Sequence, residues 1–511
     1  MKNHDRVMKY IFILACVLGL ALEVIPGRFA TTDEEFFKSA GRHWAATGHF
    51  AAPEIIGRIN VQPSLDVIYF AQPPLYSFAF GLYTKAVGFG PFQSILFDAL
   101  IHLLLALATV LLARKVFELP ARYAYLIGLF LLPLGQRGRP DELAMCIAIV
   151  GIVAWTLDLK PIYRALLSGV AFGICGATSI GACLFLVPLA LLVAYQRRVL
   201  TLRTASGAIL AGAVVGLLCV SPILIPHPDA VHQLFAHAVA QSPEMGRVSA
   251  AGLSRWASIR QSYREGVFDV LHFGMQTVDT VVGALLLLFL CWRAMPTENA
   301  RGWKQSALIA IAAMVFISAL LPGKYTYLWF FAPWLLSLAA VVLMRSYAVL
   351  PAATRTLAVL LMAGCMVFGW GLYAKDRLEI LSLPSNQSFY WNMANVRETI
   401  PAGSRVVTKE YWTALADKCQ VLDPDFSHPK DVDVDYLIKT GNGTGTPGKP
   451  EKFSHEYEAF ASDHHFVVQE DSLNRTPLKV HGIRISNSAY GFGPYIEARN
   501  PMAVQTPVPA P

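Results

Sequence analysis

Residues 31–50 read TTDEEFFKSAGRHWAATGHF, with Asp33, Glu34 and Glu35 adjacent and an amphipathic stretch behind them, directly after an apolar run that begins near Tyr10. Acids this dense beside a run long enough to cross a bilayer mark a loop at a membrane surface. Reading outward, apolar runs and short charged connections alternate for most of the chain. Of 511 residues, 55% are hydrophobic and 15% charged, with mean hydropathy +0.46, against roughly 25% charged in soluble domains. Charged side chains are roughly twice as dense after Lys375 as before it. The composition therefore predicts a polytopic α-helical membrane body followed by a water-facing domain. It excludes a soluble enzyme, a single-anchor receptor and a β-barrel, whose strands would alternate over about ten residues.

Runs of spanning length, about 17 to 25 residues, begin near Tyr10, Phe92, Tyr123, Leu143, Leu166, Cys183, Gly207, Val278, Ser306, Leu328 and Thr356, eleven in all. With the N-terminus in the cytoplasm, the inner connections hold Lys2, Arg6, Lys9, Arg114, Lys115, Arg122, Lys160, Arg164, Arg197, Arg198, Arg203, Arg293, Arg301, Lys304, Arg345 and Arg355. Only Asp5, Glu118, Asp158 and Glu298 stand against them, the positive-inside pattern of an inner, cell-membrane protein with its tail outside the cytoplasm. Counting Pro73–Gly88 as a twelfth span would reverse every later connection, so this stretch reads as a helix on the outer surface. The basic start and apolar run of 1–28 resemble a signal peptide, but Arg28 at the −3 position of a cut after Ala30 predicts an uncleaved first helix. The net charge of +7 is spent on these connections, so it implies no nucleic-acid partner.

The domain division expected is a transmembrane body over 1–374 with a catalytic first outer loop at 27–91, an extracytoplasmic α/β domain over 375–500, and a Pro-rich disordered tail over 501–511. In the tail domain NMANVRETIPAG predicts a helix, and SRVVTKEYW, VDYLIKT, HFVVQED and KVHGIRIS predict strands. Seven of the eight cysteines fall in apolar stretches and Cys419 stands alone in the tail, which leaves no disulfide framework or paired metal motif. His43/His49 and His464/His465 lack a zinc-site spacing, and GNGTGTPG lacks the Lys-Ser/Thr of a phosphate loop.

Three clusters on the outer side have the residue types for chemistry. Asp33 and Glu34 in the first loop suit a general base or a metal ligand, although acids also favour a helix start, with Thr32 or Asp33 as cap. The turn GQRGRPDEL places Arg137, Arg139, Asp141 and Glu142 between two spans, on the side where topogenic arginines are not expected; two guanidiniums there suit a phosphate. Lys324, at the outer start of a span, either contacts a phosphate or snorkels to the interface. Arg255, Arg260 and Arg264 suit an anionic headgroup or an amphipathic anchor. A divalent metal is compatible with this set, with Asp33 and Asp141 as its candidate ligands.

In order and spacing, TTDEEFFKSAGRHWAATGHF, IYFAQPPLYSFAFGLYTKAVGFG, LLARKVFELPARYA, RGRPDELAM and PGKYTYLWFFAPWLLSLAAV resemble the polytopic GT-C glycosyltransferases, most of all family 39, which holds the protein O-mannosyltransferases and the lipid A aminoarabinose transferases. The resemblance covers about residues 1–375. It implies an enzyme moving a sugar from a polyprenyl-phosphate carrier to a lipid, glycan or protein acceptor on the non-cytoplasmic face, inverting the anomeric centre within membrane lipid. It assigns Asp33 to the first-loop aspartate, with Glu34 after it as in the family, and Asp141 to the second acidic position. Where aminoarabinose transferases read Tyr-Phe-Glu-Lys-Pro, this chain has Tyr69, Phe70, Ala71, Gln72 and Pro73, which argues against that particular sugar and acceptor. The competing reading is a lipid or lipid-linked sugar flippase, marked by ionisable residues buried mid-membrane, such as Glu23 and Asp98; a further one is a scaffold whose tail domain binds a partner.

The charge balance has a direct test. A reporter fused after Lys375 is expected to be active only outside the cytoplasm, and cysteines replacing Arg114 or Arg198 to be labelled only from inside. Outside labelling would mean that Pro73–Gly88 crosses the membrane.

Overall fold

The computed structural model describes residues 2–27, 32–55, 63–133, 138–240, 330–382, 388–408, 411–422, 435–440, 466–468 and 494–499, with isolated helical residues between 285 and 312. Its helices are α1 (Lys2–Val24), α2 (Thr32–Thr47), α3 (Leu75–Val87), α4 (Pro91–Lys115), α5 (Ala121–Leu131), α6 (Pro140–Ala154), α7 (Pro161–Gly176), α8 (Ile180–Gln196), α9 (Leu202–Leu224), α10 (Val231–Ala240), α11 (Ala332–Ser346), α12 (Ala352–Leu381), α13 (Phe389–Thr399) and α14 (Trp412–Leu415). The spans expected from Tyr10, Phe92, Tyr123, Leu143, Leu166, Cys183, Gly207, Leu328 and Thr356 fall on α1, α4, α5, α6, α7, α8, α9, α11 and α12. Those expected from Val278 and Ser306 lie almost wholly outside the described residues, as do Arg255, Arg260, Arg264 and residues 501–511. Among the described residues, four helices are long and apolar enough to cross a membrane: His4–Val24, Pro91–Lys115, Leu202–Leu224 and Ala352–Lys375. The chain is an integral membrane protein.

Local chemistry sets the helix starts. Pro91, Pro140 and Pro161 open α4, α6 and α7, where a missing N–H costs nothing. Ser179 caps α8 and a Thr201/Thr204 capping box opens α9. The 11 residues of α5 and 15 of α6, at about 1.5 Å each, fall short of a bilayer of ~30 Å. The end of α5 consequently lies beside the middle of α4. His102, about 16 Å along α4 from Pro91, reaches the carbonyls of Leu131 and Leu132 at 3.1 and 2.8 Å.

α3, with 13 residues, spans only about 20 Å and lies against α2. A Cβ on Gly41 would stand 1.9 Å from the Ser77 carbonyl, and Ser77 Oγ donates to the Phe37 carbonyl at 2.5 Å. α7 and α9 likewise meet backbone to backbone: a Cβ on Gly169 or Gly173 would lie 2.1 or 2.4 Å from the carbonyls of Ala208 and Gly212, the small-residue packing used where lipid supplies no hydrophobic drive.

The buried apolar side chains form two cores. One runs through the bundle, from Phe12 and the C-terminal half of α4 to Trp334 and Val341 of α11. The other joins Phe36, Phe37, Tyr69, Tyr76 and Phe80 of the first loop, the start of α4, and Phe389, Val396, Val406, Trp412 and Val421 of the tail. Loop and tail therefore cap the same end of the bundle. The tail carries a sheet of β1 (Arg405–Val407), β2 (Gln420–Leu422), β3 (Tyr436–Thr440), β4 (Phe466–Val468) and β5 (Pro494–Arg499), ordered β2-β1-β3-β5-β4. β2, β1 and β3 are parallel; β5 runs antiparallel to β3 and β4. Three expected strands and the helix are found. β2 and β5 were not marked by the alternation, the end of SRVVTKEYW turns into α14, and KVHGIRIS lies outside the described residues. α12 runs unbroken across the boundary expected after 374.

The tail docks on the end of α1. Tyr390 donates to the Val24 carbonyl at 2.6 Å; burial, with Glu23 nearby, pushes its hydroxyl up to about 12 and keeps it the neutral donor. Gly27 has φ +71°, and a Cβ there would meet the Phe389 ring at 2.1 Å. Gly27→Ala is therefore expected to cost about 2 kcal/mol or more, seen as a lower Tm in detergent with earlier proteolysis of the tail; an unchanged Tm would remove this contact from the docking.

Candidate functional site

The first turn of α2 should face water if it merely starts a helix. It does not: Glu34, Glu35, Lys38 and Ser39 are all buried, with Phe36, Phe37 and Ala40 on the other faces. α2 is enclosed because α3 lies against it and the start of α4 supplies its polar partners. Lys38 Nζ sits 2.6 Å from Asp98 Oδ2, 2.9 Å from Ser94 Oγ and 3.3 Å from the Ser94 carbonyl, with Glu34 at 3.7 Å one turn back. The ammonium donors are thereby matched, as a buried cation requires. Asp98 accepts in addition from Tyr76 at 3.1 Å. Burial, and then the charge of Asp98, push the Tyr83 hydroxyl above its ordinary range.

The arginine turn lies against this group. Gly138 has φ +76°, and a Cβ there would meet Glu34 Cγ at 1.9 Å and Oε1 at 2.5 Å, so only glycine suits both its backbone and its neighbour. Beyond it, Arg139 Nε donates to Asp141 Oδ2 at 3.1 Å, and Ser179 Oγ donates to Asp141 Oδ1 at 2.8 Å. Asp141 and Glu142 fill the first turn of α6, where its dipole favours acids. The structure thus brings Glu34, Arg139 and Asp141 into one region from segments a hundred residues apart in the chain. Asp33 lies in the first turn of α2, since the helix begins at Thr32, but its side chain lies outside the described residues, as do Arg137 and Lys324.

Sequence reading missed Lys38, Ser94, Ser179 and His102. The available signals were the lone Asp98 and His102 within an apolar run, and a lysine four residues after Glu34. Glu35, one of the acids that a helix start favours, has its side chain fully buried. Both Asp141 oxygens accept hydrogen bonds, from Ser179 and Arg139, and no three His, Cys, Asp or Glu side chains converge among the described residues.

An apolar cavity of about 510 Å³ opens between α7, α8 and α9. Its walls include Trp155, Gly169, Phe172, Gly173, Gly212 and Gly216, and its capped end is formed by Phe70, Pro73, Ala177 and Ile180. The lining runs from Ala205 to Val220 on α9, about 22 Å of helix. Ile180 and Ala177 flank Ser179, the donor to Asp141, by one and two residues.

No protein-family model matches the chain, and no curated protein sequence is similar to it. Solved structures are similar in fold. ArnT from Cupriavidus metallidurans in the apo state superposes with a TM-score of 0.57 at 14% identity, over 98% of this chain and 99% of that one. The same protein bound to undecaprenyl phosphate gives 0.53 at 15% identity, with the same coverage. The Archaeoglobus fulgidus oligosaccharyltransferase with zinc and sulfate gives 0.51 at 13% identity, over 84% of this chain and 67% of that one. The fold is the GT-C fold of polytopic membrane glycosyltransferases, as the sequence led us to expect.

The buried pair at the centre of the site has a measurable consequence. Lys38→Met alone leaves Asp98 buried without its counter-charge and is expected to cost about 3 to 5 kcal/mol. The double change Lys38→Met/Asp98→Leu should recover most of that in thermal unfolding. A double variant no more stable than the worse single one would show that the two residues do not act as a pair.

Proposed function

We propose that the chain is a membrane glycosyltransferase that moves a sugar from a polyprenyl-phosphate carrier to an acceptor on the non-cytoplasmic face, with inversion at the anomeric carbon. The observation that carries this reading is the 510 Å³ apolar cavity whose lining residues Ala177 and Ile180 flank Ser179, the donor to the Asp141 carboxylate that Arg139 also contacts. A lipid lying in that cavity would have its phosphate beside a guanidinium and under the acids of the first loop. Structures of the same fold support it, one bound to undecaprenyl phosphate and one to an inhibitory peptide and a dolichol-phosphate.

In this mechanism the bond between the anomeric carbon and the phosphate oxygen breaks as an acceptor hydroxyl attacks from the opposite face. Charge grows on the departing phosphate, and Arg139, with Arg137, stabilises it there. Asp141, holding Arg139 Nε and bound by Ser179, orients that guanidinium and is not the base. Glu34 stands 3.7 Å from Lys38 and packs on Gly138, which fixes the loop on the turn. Asp33, the neighbour of Glu34 in the first turn of α2, takes the acceptor proton. Lys324 is a further candidate for the phosphate. The products are polyprenyl phosphate and the glycosylated acceptor.

The buried charges favour an enzyme over a flippase. Glu34, Lys38, Asp98 and Asp141 bond to one another or to Ser94, Tyr76 and Ser179 near the capped end, instead of lining a path across the bundle.

Transfer by purified protein from polyprenyl-phosphate sugars, followed as released polyprenyl phosphate, tests the reading. Asp33→Asn keeps a helix-start oxygen and nearly the same shape, yet should lose on the order of 10² to 10⁴ in turnover with an unchanged Tm. Arg139→Ala should weaken donor binding by roughly 1.5 to 3 kcal/mol, with only partial rescue by Lys, which lacks the planar fork. Normal turnover in Asp33→Asn would sink the assignment of the base, and a normal Arg139→Ala would remove that guanidinium from the site.

A further inference from the structure

His102 is buried on α4, and its two ring nitrogens face different elements. Nε2 lies 3.1 Å from the Leu131 carbonyl and 2.8 Å from that of Leu132. Carbonyl oxygens only accept, so Nε2 carries a hydrogen. These carbonyls end α5 and have no partner within their own helix. Nδ1 lies 3.2 and 3.3 Å from the two carboxyl oxygens of Glu142, in the first turn of α6. With Nε2 already the donor to the carbonyls, the contact at Nδ1 needs one hydrogen between ring and carboxyl; a bare lone pair against a carboxylate would repel.

We propose that His102 is a positioning residue, a clasp that ties the end of the helix before the arginine turn to the start of the helix after it. One imidazole thereby fixes both ends of the connection and sets where Gly138, Arg139 and Asp141 stand relative to the lipid cavity. The inference rests on the reading of that turn as the phosphate site. It explains why α5 can stop at Leu131, beside the middle of α4, with its terminal carbonyls satisfied there. It also gives Glu142 a role distinct from its neighbour: Asp141 orients the guanidinium, and Glu142 holds the helix that carries it.

A clasp made by a hydrogen bond, as opposed to a charge or a proton shuttle, makes a specific demand. Glu142→Gln can donate its amide hydrogen to Nδ1 while Nε2–H keeps the carbonyls, so it should match the unaltered protein in binding polyprenyl phosphate. Glu142→Leu and His102→Leu should bind polyprenyl phosphate roughly tenfold more weakly or worse, the scale of a displaced positioning group, and residues 138–145 should exchange amide hydrogen for deuterium several-fold faster. If His102→Leu fails to fold, the comparison of Glu142→Gln with Glu142→Leu carries the test. Binding by Glu142→Gln as poor as by Glu142→Leu would overturn the clasp, as would unchanged exchange in the leucine variants. Arg139→Ala, measured alongside, separates the two readings. If it binds polyprenyl phosphate normally the phosphate site is wrong, and exchange over 138–145 alone decides the clasp. If it binds weakly while His102→Leu does not, the clasp is wrong and the site stands.

Discussion

A lysine ammonium sealed from water is tolerable only where a counter-charge and hydrogen-bond acceptors surround it, and Lys38 meets that condition at one place, the start of α4. Its 2.6 Å contact with Asp98, both side chains almost wholly buried, cannot form unless α2 lies down on the bundle. Once it does, Glu34 falls against Gly138, Asp33 is carried to the edge of the same region, and α3 closes over α2 through Gly41 and Ser77. Removing water from this junction is also what gives any charge placed there its strength, since the same ions in solvent would interact weakly. The pair adds little net stability by itself; it specifies where the first loop sits.

The second constraint is depth. Short helices α5 and α6, the one ending at Leu131 and the other opening at Pro140, meet beside the middle of α4 at His102, and the glycine faces of α7 and α9 let two backbones touch while a cavity persists beside them. The cavity's lining residues Ala177 and Ile180 flank Ser179, which donates to Asp141, so an apolar space and a charged turn adjoin. The tail completes the enclosure: Phe389 packs on Gly27, and Trp412 meets Phe89 at 5.2 Å between ring centroids, so the tail shares its core with the loop.

What the sequence by itself determined is everything that depends on near neighbours in the chain. Apolar runs of bilayer length, proline and Ser/Thr starts, the charge of the connections and the alternation in VDYLIKT are local patterns, and local backbone energetics turn them directly into helices and a strand. The acids after α1 and the RGRPDEL turn stood out for the same reason, being charge where apolar residues surround them. β2 and β5 escaped because three residues, or six with a leading proline, carry too little alternation to read. Only the tertiary structure decided which of these charges meet. Lys38 and Asp98 lie 60 positions apart, Ser179 and Asp141 38 apart, and His102 and Glu142 40 apart. No periodicity encodes such pairings, because they are selected by the cost of leaving each group buried alone, a cost that exists only after the helices have packed.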